Sequence, residues 1–267
     1  MNPESRENSN LNEGSPEQES HRLIVKLVKE ATREFVNNEV LDAIKSGEFS
    51  REQWQTFAKQ RYLAALSFEN LLESGIVEAK RTGDTQLEET LQSNLNDELG
   101  VDESGEKVSE KAHETWRRDF YEALGVSEQD LKKSKAFNGT KTYSQTLENL
   151  IKNGDSLEIA GALLILEGSI PAEFKKIQEG RDKTFPDAFV DKLDDSEEIK
   201  ERKARARLYI DDHIAHDSSS HYPDLIRALE KYVFNPDAFT RIKQGVEKIK
   251  DAKKEFYSSL QEELEND

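Results

Sequence analysis

Three of the five histidines of the chain lie in the segment YIDDHIAHDSSSHY, residues 209–222. If this segment is one helix, His213, Asp217 and His221 share a face, because each step of four residues drifts only about 40° around the axis. His216 follows His213 by three residues and also approaches that face. Two imidazoles and a carboxylate presented together are suitable ligands for a transition metal. The competing interpretation is a polar surface helix with incidental histidines.

Two carboxylates lie among apolar residues. Glu167 belongs to ALLILEGSIP, residues 162–171, and Glu69 belongs to AALSFENLL, residues 64–72. An isolated buried carboxylate is costly unless it is neutralised, paired or bound to a metal. A core Arg or Lys is the alternative partner for Glu167. For Glu69, the alternative is that Glu73, one turn further on, is the inward residue.

A third candidate pair brackets a hydrophilic segment. Glu98 lies in NLNDELG and His113 in AHETW, on either side of residues 101–110. The two side chains meet if their helices are adjacent. Together, the candidates supply hard oxygen donors and imidazoles, a set that suits iron or manganese, and carboxylate-rich sites of this kind are built in helix-bundle cores.

Other chemistries lack their sequence signatures. The chain has no Cys, which excludes disulfides, thiolate catalysis and cysteine-ligated metal sites. It has no G-x-S-x-G, Walker-type, G-x-G-x-x-G or H-E-x-x-H motif. The ferritin-like Glu-x-x-His pattern is also missing, since neither Glu69 nor Glu98 has a His three residues later.

Charge and composition set further bounds. The formal net charge of −17 predicts no binding to nucleic acid or to anionic lipid, since both depend on basic surfaces. No apolar run reaches the roughly 18–20 residues of a membrane span, and no apolar signal segment opens the sequence. We therefore expect a soluble cytoplasmic protein.

The apolar periodicity predicts an all-α fold of six to nine helices around one core, without strands or internal repeats. Residues 1–18 are polar and predict a disordered leader before a single helical domain over 19–267. Residues 185–195 are interpreted as a surface connection. The expected helices cover approximately residues 21–45, 50–81, 84–99, 112–124, 143–153, 155–181, 196–221 and 237–264, with a short helix near residue 127.

The candidate residues resemble those of a known family, the haem-oxygenase-like di-iron oxidases and oxygenases, relatives of the thiaminase-II and pyrroloquinoline-quinone synthase folds. The resemblance covers residues 20–235. It depends on four pieces in the family's order: FEN at 68–70, N-L-x-D-E-x-G with a later His, E-x-x-I-P at 167–171, and the His/Asp-rich helix at 209–222. The implied fold is a haem-oxygenase-like helical bundle.

The resemblance also implies two Fe(II) ions per chain and O2 as co-substrate, with oxidation of a small molecule such as an amino acid or a fatty acid. The implied iron ligands are Glu69, Glu98, His113, Glu167, His213, Asp217 and His221.

Two departures from the family pattern concern the second iron. Where the family commonly has its last His, three residues after the Asp, this chain has Ser220. The alternatives are a local bulge that restores His221 as the ligand, the use of His216 in its place, or a weakly held iron. The spacing from Glu98 to His113 is also longer than usual, which is consistent with an insertion.

Several aromatic and basic residues are candidates for a substrate pocket, although core packing or a solvated helix face is the simpler interpretation for each. The aromatic candidates are Trp54, Tyr62, Trp116, Phe120 and Tyr209. The candidates for binding a substrate carboxylate are Arg61, Arg205 and Arg207.

Two rival functions remain open from the sequence. One is a metal-free enzyme that binds a small organic molecule on the same fold. The other is a non-enzymatic, acidic helical interaction protein. A homodimer is compatible with all of these interpretations. The ligand types do not distinguish iron from manganese, and the sequence does not identify the substrate or the electron donor.

Overall fold

The computed structural model describes residues 15–102, 106–107, 113–216 and 219–266, apart from the side chain of residue 216. These residues confirm the all-α prediction but form more helices than the six to nine expected. None of their helices is long and apolar enough to cross a membrane. The helices are α1 (Pro16–Val36), α2 (Glu39–Ser46), α3 (Arg51–Ala65), α4 (Phe68–Thr82), α5 (Thr85–Leu99), α6 (His113–Ala123), α7 (Glu128–Lys133), α8 (Asn138–Asn153), α9 (Ser156–Thr184), α10 (Pro186–Phe189), α11 (Glu197–His216), α12 (His221–Leu229) and α13 (Pro236–Asn266), with a 3-10 turn at Glu230–Tyr232.

The extra helices arise where predicted long helices divide. The helix expected over residues 21–45 is interrupted at Asn38, whose side chain accepts a hydrogen bond from the Leu41 N–H at 2.9 Å. Asparagine is a favoured N-cap, so it starts a new helix here. The helix expected over residues 50–81 divides at Ser67 into α3 and α4.

Helix α1 begins earlier than the sequence predicts. Ser15 and Gln18 form a capping box, and Pro16 occupies the first turn, where its missing N–H is tolerated. Residues 15–18 are therefore part of the helical structure. The rest of the predicted leader, residues 1–14, lies outside the described residues.

Helix α9 runs through the centre of the fold and packs against α1, α2, α11 and α13. Its first half is buried almost completely, from Ile159 to Glu167. Gly161 of α9 and Gly245 of α13 let the two backbones approach closely, because a β-carbon at either position would overlap a carbonyl oxygen of the other helix. The crossing of α9 and α13 therefore fixes the position of the helix α9, which carries the buried acids.

Two peripheral segments are more deeply packed than expected. The predicted surface connection carries Phe185 and Phe189, both buried, and Phe185 contacts Trp54 edge to face with ring centroids 5.9 Å apart. The last helix, α13, packs along α8 and α9 and buries apolar residues such as Ile242 and Phe256. It is thus part of the core.

The histidine-rich segment is not one continuous helix, so that prediction is wrong. Helix α11 ends at His216 and α12 begins at His221. The serines of residues 218–220 favour turns and caps over helix interiors, and Pro223 is tolerated in the first turn of α12. His213 and His221 therefore belong to different helices, while Asp217 lies outside the described residues.

Candidate metal centre

Glu98, His113 and His213 form a compact group of potential ligands. Each offers one ligand atom, and the three atoms all lie within 4.8 Å of one another. Nδ1 of His113 lies 2.9 Å from Oε2 of Glu98, and the two imidazole rings have centroids 4.5 Å apart. Two imidazoles and one carboxylate are the ligand set of mononuclear non-haem Fe(II) sites with open positions.

Three different helices supply this group. Glu98 lies in the last turn of α5, which Gly100 ends in a left-handed conformation (φ 63°). His113 opens α6, which packs against both α5 and α11. In α11, Nδ1 of His213 lies 2.6 Å from the carbonyl oxygen of Tyr209. Because a carbonyl only accepts, Nδ1 carries the proton and Nε2 is the ligand atom.

Electrostatics favour an ionised Glu98. Burial would raise the pKa of this carboxyl, but the neighbouring imidazoles of His113, His213 and His221 outweigh that effect and lower the pKa. An ionised carboxylate among imidazoles is ready to bind a cation without first losing a proton.

Glu69 faces this group across one cavity. Its neighbour one turn away, Glu73, is exposed, so Glu69 is the inward residue of the two. Burial raises the pKa of Glu69, Arg117 opposes this rise, and the negative charges of Glu98 and Glu114 add to it. A carboxyl in such surroundings gains from a nearby cation.

Glu167 and His221 form a second, looser group. Nδ1 of His221 lies 3.9 Å from Oε2 of Glu167, and its Nε2 lies 3.0 Å from Oδ2 of Asp97. Glu167 and His221 are both buried. Asp97 was not predicted as a site residue, although it precedes Glu98 directly in the N-D-E run. Asp217 and the side chain of His216, the other candidates, lie outside the described part of the chain.

The first group opens on a cavity of about 120 Å³. This volume is well above the roughly 10–15 Å³ that a single water needs, so it leaves room for part of a small ligand. Its walls are largely apolar and include Leu147, Leu166, Ile170, Phe174 and Phe256. The cavity can therefore enclose the body of an apolar ligand next to the candidate ligands.

Few of the predicted pocket residues line this cavity. Tyr209 and Arg61 do, whereas Trp54 and Phe120 are packed in the core. Trp116 packs beside His113, with ring centroids 5.1 Å apart. The other two arginines lie at the surface, where Arg205 pairs with Asp119 and Arg207 with Asp191.

The same cavity is lined by a buried charged cluster of Arg61, Glu173 and Lys253, of which only Arg61 was a candidate from the sequence. Glu173 pairs there with Arg61 and Lys253 and accepts a hydrogen bond of 2.6 Å from the Tyr257 hydroxyl. Burial alone would raise the pKa of Glu173, but the charges of Lys253 and Arg61 and the hydrogen bonds from Lys253 and Tyr257 lower it to about 2. Glu173 lies six residues after Glu167 on α9, beyond the E-x-x-I-P segment.

The helical architecture thus brings together one imidazole–carboxylate group that could hold a metal ion. The chain belongs to the haem-oxygenase-like family described as iron-containing redox enzymes, whose family model matches residues 55–254. No curated protein sequence matches the chain.

Solved structures share the fold at low sequence identity. A CADD-like protein of unknown function from Nostoc punctiforme superposes with a TM-score of 0.72 at 17% identity, covering 94% of this chain and 99% of that chain. A TenA homologue from Pseudomonas syringae pv. tomato gives 0.69 at 12% identity, covering 90% and 92%. A TenA family transcription regulator from a Silicibacter species gives 0.59 at 14%, covering 92% and 96%. The protein thus has a TenA-like, haem-oxygenase-like fold.

The donor set fits the iron that the family implies. Imidazole nitrogens and carboxylate oxygens suit non-haem iron, and the group needs no thiolate, which this chain does not possess. The residues that would hold the metal come from three packed helices, so the side chains are brought together by the fold itself.

Proposed function

We propose that this protein is a non-haem di-iron oxidase or oxygenase that uses O2 to oxidise a small molecule, with an amino acid or a fatty acid as the expected kind of substrate. The observation that supports this most strongly is the group formed by Glu98, His113 and His213 on the wall of a cavity. In a family of iron-containing redox enzymes, such a group is best explained as the iron site.

The second iron is proposed to lie on the Glu167 and His221 side of the site. Asp217, in the connection between α11 and α12, is expected to complete its ligands, and Asp97 orients or supplements His221 from 3.0 Å away. Glu69, on the facing wall of the cavity, is the further carboxylate in the proposed set.

The bound iron would supply the electrons and the binding position for O2. The side chains of the protein bind the iron and orient the ligands. His113 and His213 offer nitrogen ligands, and the Tyr209 carbonyl holds the His213 ring in one orientation and tautomer. Apolar side chains such as Phe174 and Leu166 offer contact surface for the carbon body of a substrate.

Anaerobic titration of the purified chain with Fe(II), followed by O2 uptake, tests the proposal. We expect two Fe(II) per chain and O2 consumption that depends on the bound iron. A metal-free enzyme on this fold would bind a small molecule without iron, and an interaction protein would show neither property. Absence of specific Fe(II) binding would reject the oxidase proposal in favour of one of these two.

A further inference from the structure

The charged cluster of Arg61, Glu173 and Lys253 in the cavity has more positive than negative groups. Arg61 and Lys253 both pair with the single carboxylate of Glu173. Lys253 also donates a hydrogen bond to Ser169, and Tyr257 donates one to Glu173; both of these hydroxyl groups are neutral. With Lys253 protonated, Arg61, Lys253 and Glu173 together carry one net positive charge, which the neighbouring carboxylate of Glu167 partly balances and an anion bound at Arg61 would balance further.

The pKa of Lys253 depends on the charges around it in this cluster. Burial is the main cause that lowers the pKa of Lys253, and the neighbouring positive charge of Arg61 lowers it further, against the attraction of Glu173 and Glu167. An anion bound beside Arg61 and Lys253 would add to this attraction.

Arg61 has donors to offer to such an anion. Among the described residues, its hydrogen bond goes from Nη1 to Glu173, and its guanidinium otherwise lies over the rings of Phe57 and Phe174. A guanidinium has five N–H donors in a planar fork that matches a carboxylate. Arg61 lines the cavity, so its remaining donors are accessible from there.

The phenol of Tyr143 adds a further hydrogen-bond donor near Arg61. Tyr143 lines the cavity near Arg61. Burial, with the charge of Glu173 nearby, raises the pKa of Tyr143 above its ordinary value. Its hydroxyl therefore stays protonated at neutral pH and can donate to an anionic oxygen.

Arg61 and the candidate metal ligand His213 both contact Phe174. The guanidinium of Arg61 lies 4.9 Å from the centroid of the Phe174 ring, and the ring of His213 lies 5.4 Å from the same centroid. Leu147, Ile170 and Phe256 line the same cavity. A molecule with an anionic group at Arg61 and an apolar body would thus extend toward His213.

We propose that Arg61, assisted by Lys253 and Tyr143, is the anion subsite that binds the carboxylate of a small, largely apolar carboxylic acid and directs its other end toward Glu98, His113 and His213. This inference rests on the proposed function, since it assigns the orientation of the substrate of that site. It specifies that the carboxylate binds away from the metal and that the carbon body is presented to it.

Calorimetric titration of the full-length chain tests the subsite, with and without bound Fe(II) under anaerobic conditions. The probes are 3-phenylpropionate and its neutral analogue 3-phenylpropionamide, with acetate as a small anion. We expect the acid to bind at least about tenfold more tightly than the amide and acetate in both forms of the protein, as charge-assisted hydrogen bonds imply.

Variants locate the binding group. Arg61→Gln should weaken binding of 3-phenylpropionate by roughly tenfold to a hundredfold, and Arg61→Lys should restore part of it. Arg205→Gln, at an exposed arginine paired with Asp119, is the matched control and should change nothing. If Arg61→Gln fails to fold by circular dichroism, the comparison of acid with amide on the unmodified chain still decides.

Equal binding of the acid and the amide, or equal binding of acetate and 3-phenylpropionate, would overturn the subsite. A preference for the acid that requires Fe(II) and survives Arg61→Gln would also overturn it, because the carboxylate would then bind the metal. Failure of the proposed function looks different. Binding of the acid through Arg61 without any specific Fe(II) binding would reject the oxidase and keep the subsite.

Discussion

Oε2 of Glu98 and Nδ1 of His113 lie 2.9 Å apart, although the two residues belong to different helices joined by a hydrophilic connection. The contact brings the end of α5 to the start of α6, and α11 adds His213 beside them. The connection therefore does not separate the two candidate ligands.

Loss of His213 should remove iron from this group. We expect His213→Ala to lower the Fe(II) affinity of the first site by about a hundredfold or more, because even indirect partners of metal ligands are worth 10–100-fold. Anaerobic Fe(II) titration measures the effect. His21→Ala is the control, since His21 is exposed on α1 and pairs with Glu230. Equal loss in both variants would show that the histidine at this position has no special role.

His221→Ala should act on the second iron alone. Because His221 contacts Glu167 and Asp97 while the first group is complete without it, we expect the stoichiometry to fall from two Fe(II) per chain to one. Iron analysis after desalting gives the number. Retention of two irons in His221→Ala would show that His221 is not an iron ligand.

The sequence was sufficient for the fold class and for several candidate positions, because helical periodicity and buried carboxylates are local signals. Glu69 was identified in this way, and Glu98 was proposed from its position with His113 on either side of residues 101–110; both line the cavity. The break between α11 and α12 was not predicted, since weak helix formers such as the serines of residues 218–220 do not by themselves fix where a helix ends.

The charged cluster shows the other limit of sequence analysis. Arg61 comes from α3, Glu173 from α9 and Lys253 from α13, and no local pattern links them. The crossing of α9 and α13 and the position of α3 bring them together. Each residue taken alone resembles a solvated helix position, so this part of the cavity required the three-dimensional structure.

The buried acid Glu173 should contribute stability that depends on pH. Its folded-state pKa of about 2 lies below the ordinary value of 4.5. The contribution is therefore complete above about pH 4.5 and is lost as the pH falls toward 2. We expect Glu173→Gln to lower the free energy of unfolding by about 3 kcal/mol at neutral pH, because Arg61 and Lys253 lose their shared partner.

Urea unfolding at several pH values checks this. The difference between Glu173→Gln and the unmodified chain should shrink as the solution is acidified through that range. Glu179→Gln, on the same helix but partly exposed and 3.9 Å from Lys45, should stay within about 0.5 kcal/mol. A difference that is independent of pH would contradict the assigned pKa.

The crossing of α9 and α13 should not tolerate a larger residue. In Gly245→Ala the new methyl group would overlap the Glu158 carbonyl oxygen, and backbone atoms cannot move aside as a side chain can. We expect a loss of about 2–3 kcal/mol by urea unfolding, although alanine is the better helix former by about 1 kcal/mol. Gln244→Ala, at the exposed neighbouring position, is the control. A stabilised Gly245→Ala variant would show that the helices are less closely packed.

The central claim is that iron binds between Glu98, His113 and His213, and the most direct test is crystallographic. Crystals of the chain loaded anaerobically with Fe(II) should give an anomalous difference peak at the iron edge bounded by these three side chains. A second, weaker peak is expected near Glu167 and His221. An iron-loaded crystal without a peak among the first three residues, or with peaks only at surface carboxylates, would contradict the account.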